Sequence, residues 1–311
     1  MSKARDHAGS GLRGIVGASL TPFRDDGTVD VHRLCELVEF MAGHCDAVSV
    51  LGAEVSEYQV LSPRERRSVL VEGLGAAQGR VRTLAGASSP SVGEVVELSE
   101  IAADAGADLI QVLMPLRPWG GQPSERDLVA YYEAVTARAA LPVVAYHNPG
   151  RGADPTPPTM VRISEIDGVV AFKESSRDIS RIGRLVTEIE LSGNANYCTT
   201  MQPLLATLEL GGSGAMMPPP ATLIAREIAR AFDAGDRDAA ARWQRGFTLF
   251  PSRWGSYGLA PVMKAAMRQI GIDLGQPAAP YAPVSESDAE EIGAALRDAG
   301  LFELLDLAVS R

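Results

Sequence analysis

Lysine is scarce in this chain: Lys3, Lys173 and Lys264 are the only three among 29 basic residues. Lys173 closes an apolar run, VVAFK, where strand alternation sets it on one face with Val169 and Ala171. An ammonium group turned into a partly dry interior loses hydration, so its pKa is expected to fall from about 10.4. The neutral amine can then attack a carbonyl and form an imine, which a permanently protonated arginine cannot do. The competing reading is a rim lysine paired with a carboxylate such as Glu174. Tyr146 ends an earlier run, PVVAYH, where its phenol would relay protons to and from the amine.

Other polar residues gather after the apolar runs. Tyr146 is followed by His147, Asn148 and Arg151, and Lys173 by Glu174 and Ser175. Glu54, Ser56 and Glu57 follow the second run, and Arg117 and Trp119 the fourth. Arg117 and Arg151 suit bidentate capture of an anionic substrate group, and Ser56 offers a hydroxyl. Glu54 and Glu57 also admit an acid/base reading, and Trp119-Gly120-Gly121 that of a loop shaping the pocket.

The elements that must position these groups follow from hydrophobic period. Eight short apolar runs, at 14–20, 46–51, 81–86, 108–114, 142–147, 169–173, 189–193 and 213–217, alternate with helical stretches. In VHRLCELVEFMAG, Val31, Leu34, Leu37, Val38 and Met41 share one face. Ser62-Pro63 reads as an N-cap followed by a first-turn proline, and Ser124-Glu125 opens another helix. Strands that alternate with helices pair in parallel, and eight of them predict a closed (β/α)8 TIM barrel over 10–235. A doubly wound open sheet is the competitor, but the first run leads into LTPF with no glycine-rich phosphate turn. Residues 236–311 read as a C-terminal helical extension of three helices, with a proline-broken connection over 275–284 between the last two.

Composition narrows the class. The chain has 311 residues, 46% hydrophobic and 22% charged, which excludes disordered and collagenous types. A formal net charge of −10 disfavours nucleic acid and anionic membrane as partners. No run approaches the ~18 apolar residues of a membrane span. Cys35, Cys45 and Cys198 form no metal-ligand spacing and suit buried thiols in a reducing cytoplasm, and the four histidines do not cluster. No metal or cofactor is expected. The opening MSKARDHAGSGLRG carries positive charge without an apolar core, so it reads as a short frayed arm rather than a secretory signal.

In order and spacing, GASLTPFRDDGTVD, LSPRERR, GRVRTLAGASS, GADLIQVLMP, YHNPGR, VVAFKES, LSGNAN and GGSGAMM resemble one family. It is the dihydrodipicolinate synthase / N-acetylneuraminate lyase superfamily of Schiff-base-forming class I aldolases, and the likeness runs over about 14–285. The resemblance implies a TIM barrel with a helical appendix, usually a tetramer, and an imine between Lys173 and pyruvate or another 2-oxo acid. It implies that Tyr146 shuttles protons, that Arg151 meets a carboxylate of the second substrate, and that the backbone carbonyl near Met216 faces the site. The chain departs from the family pattern in three places. Gly52-Ala53-Glu54-Val55-Ser56-Glu57 replaces G-[ST]-T-G-E with one residue more, Pro115-Leu116-Arg117 replaces P-Y-Y, and Y-H-N-P replaces Y-N-x-P. These departures point away from dihydrodipicolinate synthesis and sialic acid cleavage themselves.

The expected activity is therefore that of a cytoplasmic lyase or aldolase acting on a 2-oxo acid, with an aldehyde as the candidate second partner, as a homo-oligomer (dimer or tetramer). Dehydration of a keto-deoxy sugar acid on the same scaffold stays open, as does a barrel that binds a small ligand without turnover.

Overall fold

In the computed structural model, which describes residues 11–52 and 54–309, the chain forms a closed barrel of eight parallel strands in sequence order. The first ten residues of the expected N-terminal arm, and Ala53 of the strand-two loop, lie outside the described residues. The strands are β1 (Gly14–Ala18), β2 (Ala47–Val50), β3 (Arg82–Gly86), β4 (Leu109–Leu113), β5 (Val143–His147), β6 (Val169–Glu174), β7 (Asn196–Thr199) and β8 (Gly214–Met217). Helices α1 (Val31–Ala42), α2 (Pro63–Ala77), α3 (Val92–Asp104) and α4 (Glu125–Thr136) follow the first four strands. Helices α5 (Pro157–Ser164), α6 (Ile179–Leu185), α7 (Leu204–Glu209) and α8 (Ala221–Asp233) follow the rest. Each strand is covered on one side by helices and on the other by the barrel interior, which is why most strands read as unbroken apolar runs.

Local chemistry starts the helices where the sequence indicates. Ser62 caps α2 through a reciprocal box with Glu65, ahead of Pro63, and Ser124 does the same for α4 with Asp127. One strand falls elsewhere than expected. Residues 189–193 do not form β7; Val186–Glu190 continue α6 as a π-helical turn that buries Ile189, and the strand is Asn196–Thr199. The apolar Ile189 and Leu191 belong to the end of a helix, whereas the strand opens on Asn196, whose amide side chain bonds Glu190 and Ser213.

The barrel closes where β1 pairs with β8, Gly14 opposite Gly214. A Cβ on Gly214 would sit 2.0 Å from the Gly14 carbonyl oxygen, so only glycine permits that approach. On the outside, His44 bridges the first and last repeats. Its Nδ1 lies 2.9 Å from the Phe40 carbonyl oxygen at the end of α1, and its Nε2 lies 2.9 Å from Thr222 Oγ1 of α8.

Beyond the barrel run α9 (Arg237–Arg245), a 3₁₀ stretch (Ser252–Tyr257), α10 (Leu259–Gln269), α11 (Glu286–Asp298) and α12 (Leu301–Val309). The last expected helix is thus two, split where Gly300 takes a φ of 77°. Lys264 of α10 is buried and forms a 2.6 Å ion pair with Glu57, which also accepts from the Ala278 N–H at 2.7 Å. This pair fastens the extension to the loop after β2, and burial of the ammonium lowers the lysine pKa. The three cysteines are free thiols, Cys45 and Cys198 buried and Cys35 partly so. Among the described residues no helix is long and apolar enough to cross a membrane.

Burial of His44 carries a pH signature, because it pushes the imidazole pKa down from 6.5 to about 4. The fold holds the neutral ring, so this contribution is complete above pH 6.5 and is lost as pH falls toward 4. From pH 7 to pH 5 the loss is about 2 kcal/mol. Urea unfolding at both pH values is expected to show that increment in wild type and its absence in His44→Gln.

Candidate active site

The constellation depends on how β5 meets β6. Val143 pairs with Val169, but Val144 pairs with Ala171, so the register advances by one residue between them. From that step onward Tyr146 lies level with Lys173, and His147 with Glu174. Without it, Tyr146 would stand opposite Phe172, whose side chain belongs to the other face.

Inside the barrel, Lys173 Nζ sits 4.1 Å from the centroid of the Tyr146 ring. This is cation–π distance. Among the described residues Lys173 forms no ion pair, so the rim pairing with Glu174 does not occur. Outside the barrel, Glu174 is fully buried among His147, Tyr197 and Arg181. His147 Nδ1 lies 2.6 Å from Glu174 Oε1, and the Tyr197 hydroxyl donates to Glu174 Oε2 at 2.9 Å. Burial and the adjoining carboxylate push the Tyr197 pKa well up, so it remains a donor. The outer pair and the inner pair therefore share one register.

Tyr146 is tied into a second chain of bonds. Asn148 Nδ2 donates to the Tyr146 hydroxyl oxygen at 2.8 Å and to Glu54 Oε2 at 3.0 Å. Arg151 holds Glu54 Oε1 through Nε at 3.1 Å and Nη2 at 3.0 Å. Because the phenol oxygen accepts from Asn148, its own hydrogen points to another acceptor. Glu54, unexpected in a site for anions, is thus neutralised by Arg151.

A cavity of about 260 Å³ opens above Lys173 and Tyr146, bounded by Gly52, Val55, Gln111, Thr200 and Met216 among others. It is at the small end of ligand pockets. Gln111 is buried and its side-chain oxygen accepts from the Ser49 hydroxyl at 2.9 Å. A second cavity of about 470 Å³ adjoins it through Glu54 and Arg151 and carries Tyr58, Tyr257 and Tyr281. The backbone entering the strand-two loop is strained: Leu51 has a φ of 60°, costing about 1–2 kcal/mol for a non-glycine residue. Its carbonyl would lie 1.8 Å from a Cβ on Gly86, so glycine in β3 makes room for that turn.

Of the expected site residues, the structure brings Lys173, Tyr146, Arg151 and Met216 to the cavity. It does not bring Ser56 or Arg117. Ser56 is fully buried, because the longer loop closes as a turn through Ser56 N–Gly52 O and Glu57 N–Glu54 O bonds. The Thr21 hydroxyl holds the Ser56 carbonyl from behind. Arg117 is exposed on a loop closed by Arg117 N–Gly121 O and Gly120 N–Arg117 O bonds, which carries it and the 82%-exposed Trp119 outward. Glu57 joins the ion pair with Lys264 instead of an acid/base pair with Glu54. Sequence reasoning missed Gln111, Thr200, Arg177 and the wall formed by Pro251, Ser252 and Gly255. The glutamine had a signal, a polar residue inside an apolar run; the C-terminal wall had none.

Fold and site together define a lyase of the lysine-bearing (β/α)8 class. The family model described as the dihydrodipicolinate synthetase family matches residues 11–299, and the chain belongs to that family. A 4-hydroxy-tetrahydrodipicolinate synthase of Mycolicibacterium paratuberculosis is 28% identical over 306 residues, 97% of this chain and all of the relative. The enzyme of that name from Phenylobacterium zucineum is 32% identical over 94% of this chain and 98% of its own. Among solved structures, a dihydrodipicolinate synthase from Acinetobacter baumannii complexed with pyruvate shares 25% identity, with a TM-score of 0.82 over 93% of this chain and 99% of that one. An N-acetylneuraminate lyase from Mycoplasma synoviae, at 22% identity and a TM-score of 0.78 over 92% of this chain and 97% of that one, shares the fold.

If Glu174 anchors the register, its removal strands the buried His147 and Tyr197 and the partly buried Arg181. Glu174→Ala is expected to cost about 3–5 kcal/mol in urea unfolding, against about 1 kcal/mol for Tyr197→Phe, which loses one hydrogen bond.

Proposed function

We propose that this protein cleaves or forms a carbon–carbon bond next to the carbonyl of a 2-oxo acid, through an imine on Lys173. The observation that carries the reading is the lysine amine lying over the Tyr146 ring at the base of a small polar cavity. The pyruvate complex of the Acinetobacter relative supports a 2-oxo acid as the class of ligand.

In this reading the Lys173 amine adds to C2 of the 2-oxo acid, and Tyr146 gives its hydroxyl proton to the departing oxygen, so that loss of water leaves the protonated imine and a phenolate. When the bond between C3 and C4 breaks, its electron pair moves toward the iminium nitrogen and leaves an enamine. The Tyr146 phenolate takes the proton of the C4 hydroxyl as the aldehyde departs and hands it to C3, and it recovers its own proton when water hydrolyses the imine. Hydrolysis of the imine releases the shortened 2-oxo acid and restores the amine. Gln111, with its oxygen held by Ser49, has its amide N–H groups for the substrate carboxylate. Asn148 keeps the phenol oxygen in place, so Tyr146 begins the cycle aligned.

Borohydride reduction in the presence of pyruvate, followed by intact mass and peptide mapping, tests the imine. The expected result is one adduct, on Lys173, absent from a normally folded Lys173→Arg variant that has also lost turnover. Tyr146→Phe is expected to keep the fold but slow trapping about a hundredfold or more. Turnover retained by Lys173→Arg, or an adduct elsewhere, contradicts the mechanism. A chain that forms no adduct with any pyruvate-like acid is a binding barrel instead.

A further inference from the structure

Four charged side chains line the inner cavity: Glu54, Arg151, Lys173 and Arg177. Their pairing is uneven. Glu54 takes up the charge of Arg151 through bonds of 3.0 and 3.1 Å. In the imine reading, on which this inference rests, the positive iminium on Lys173 is matched by the carboxylate of the 2-oxo acid. Of the four, that leaves Arg177 alone with no counter-charge among the described residues.

Arg177 is also held in place. It stands exposed on the loop after β6, four residues beyond Lys173, and its Nε donates to Gln202 Oε1 at 3.0 Å. Gln202 Nε2 in turn donates to Ser252 Oγ at 3.1 Å, so the guanidinium is braced between the loop after β7 and the C-terminal extension. Its two terminal nitrogens have no partner among the described residues. A planar pair of donors with no partner, on the wall of a small cavity, is a receptor for a carboxylate.

We propose that Arg177, and not Arg151, receives a second anionic group, and that the substrate is a 2-oxo acid whose far end carries a carboxylate. Glu54 removes the strand-five arginine from this task, and the task falls to the cation on the loop after β6 in the same cavity. Ser252 and Ser175, which also line it, offer hydroxyls to the same group. Arg177 acts here as a specificity residue; the bond-breaking groups are Lys173 and Tyr146.

The test compares acids that differ only in the tail. Half-saturation of borohydride trapping is measured for 2-oxoglutarate and 2-oxoadipate, which end in a carboxylate, and for 2-oxopentanoate and 2-oxohexanoate, which end in a methyl group. Wild type is expected to favour at least one dianion over its neutral-tailed counterpart by about tenfold or more. That ratio is expected to collapse toward one in Arg177→Gln and to recover in part in Arg177→Lys. Equal half-saturation in wild type, or a preference that survives in Arg177→Gln, overturns the assignment while leaving the imine intact. Failure of wild type to trap any of these acids or pyruvate removes the imine reading and this assignment with it.

Discussion

The chemistry of this barrel depends on a single step in strand register. Between Val143 and Val144 the pairing of β5 with β6 advances by one residue, and everything beyond that step falls into place on both faces. Inside, a phenol comes level with an amine; outside, His147 comes level with the buried Glu174. Side chains alternate with period two, so a slip of one residue would turn each pair to opposite faces. The buried polar cluster around Glu174 is absent from the lining of the cavity, yet it joins the same two strands at the register that brings Lys173 level with Tyr146. Structural and chemical demands are met by adjacent residues in the same two strands.

Around that core the loop after β2 departs from the family pattern and changes the distribution of charge at the cavity. The loop after β2, one residue longer than the pattern, brings a glutamate to the cavity where hydroxyls are expected. Glu54 neither repels substrate as a bare charge nor acts as a free base, because Arg151 and Asn148 occupy both of its oxygens. The same loop is anchored behind the site by Glu57, whose ion pair with Lys264 couples it to α10. Breaking a buried pair leaves an uncompensated charge, so loop and extension hold together. The C-terminal helices therefore serve the site twice, by clamping the β2 loop and by supplying the wall around Ser252.

Much of this was legible in the residues alone. Seven of the eight strands were visible because parallel strands buried on both faces read as apolar runs. β7 was not, since it opens on a buried asparagine while the nearby apolar residues finish a helix. The placement of Lys173 and Tyr146 at the cavity was legible because a barrel gathers its polar side chains at strand C-termini, a rule that needs no knowledge of loops. Ser56 and Arg117 failed for the complementary reason: where a loop carries its side chains depends on bonds such as Arg117 N–Gly121 O, which nothing in local sequence announces. The register step and the Ser252 wall arise from contacts distant in sequence, and hydrophobic period carries no trace of them.

The central claim is that Lys173 and Tyr146 act as one unit, the amine binding the carbonyl and the phenol moving the proton. Proton NMR of pyruvate in deuterium oxide reads this directly, since an imine that equilibrates with its enamine exchanges the C3 hydrogens for deuterium without any aldehyde present. The wild-type protein is expected to wash out the methyl signal, with exchange abolished in Lys173→Arg and strongly slowed in Tyr146→Phe. A methyl signal that persists with wild type, or that disappears equally fast with Lys173→Arg, would contradict the account.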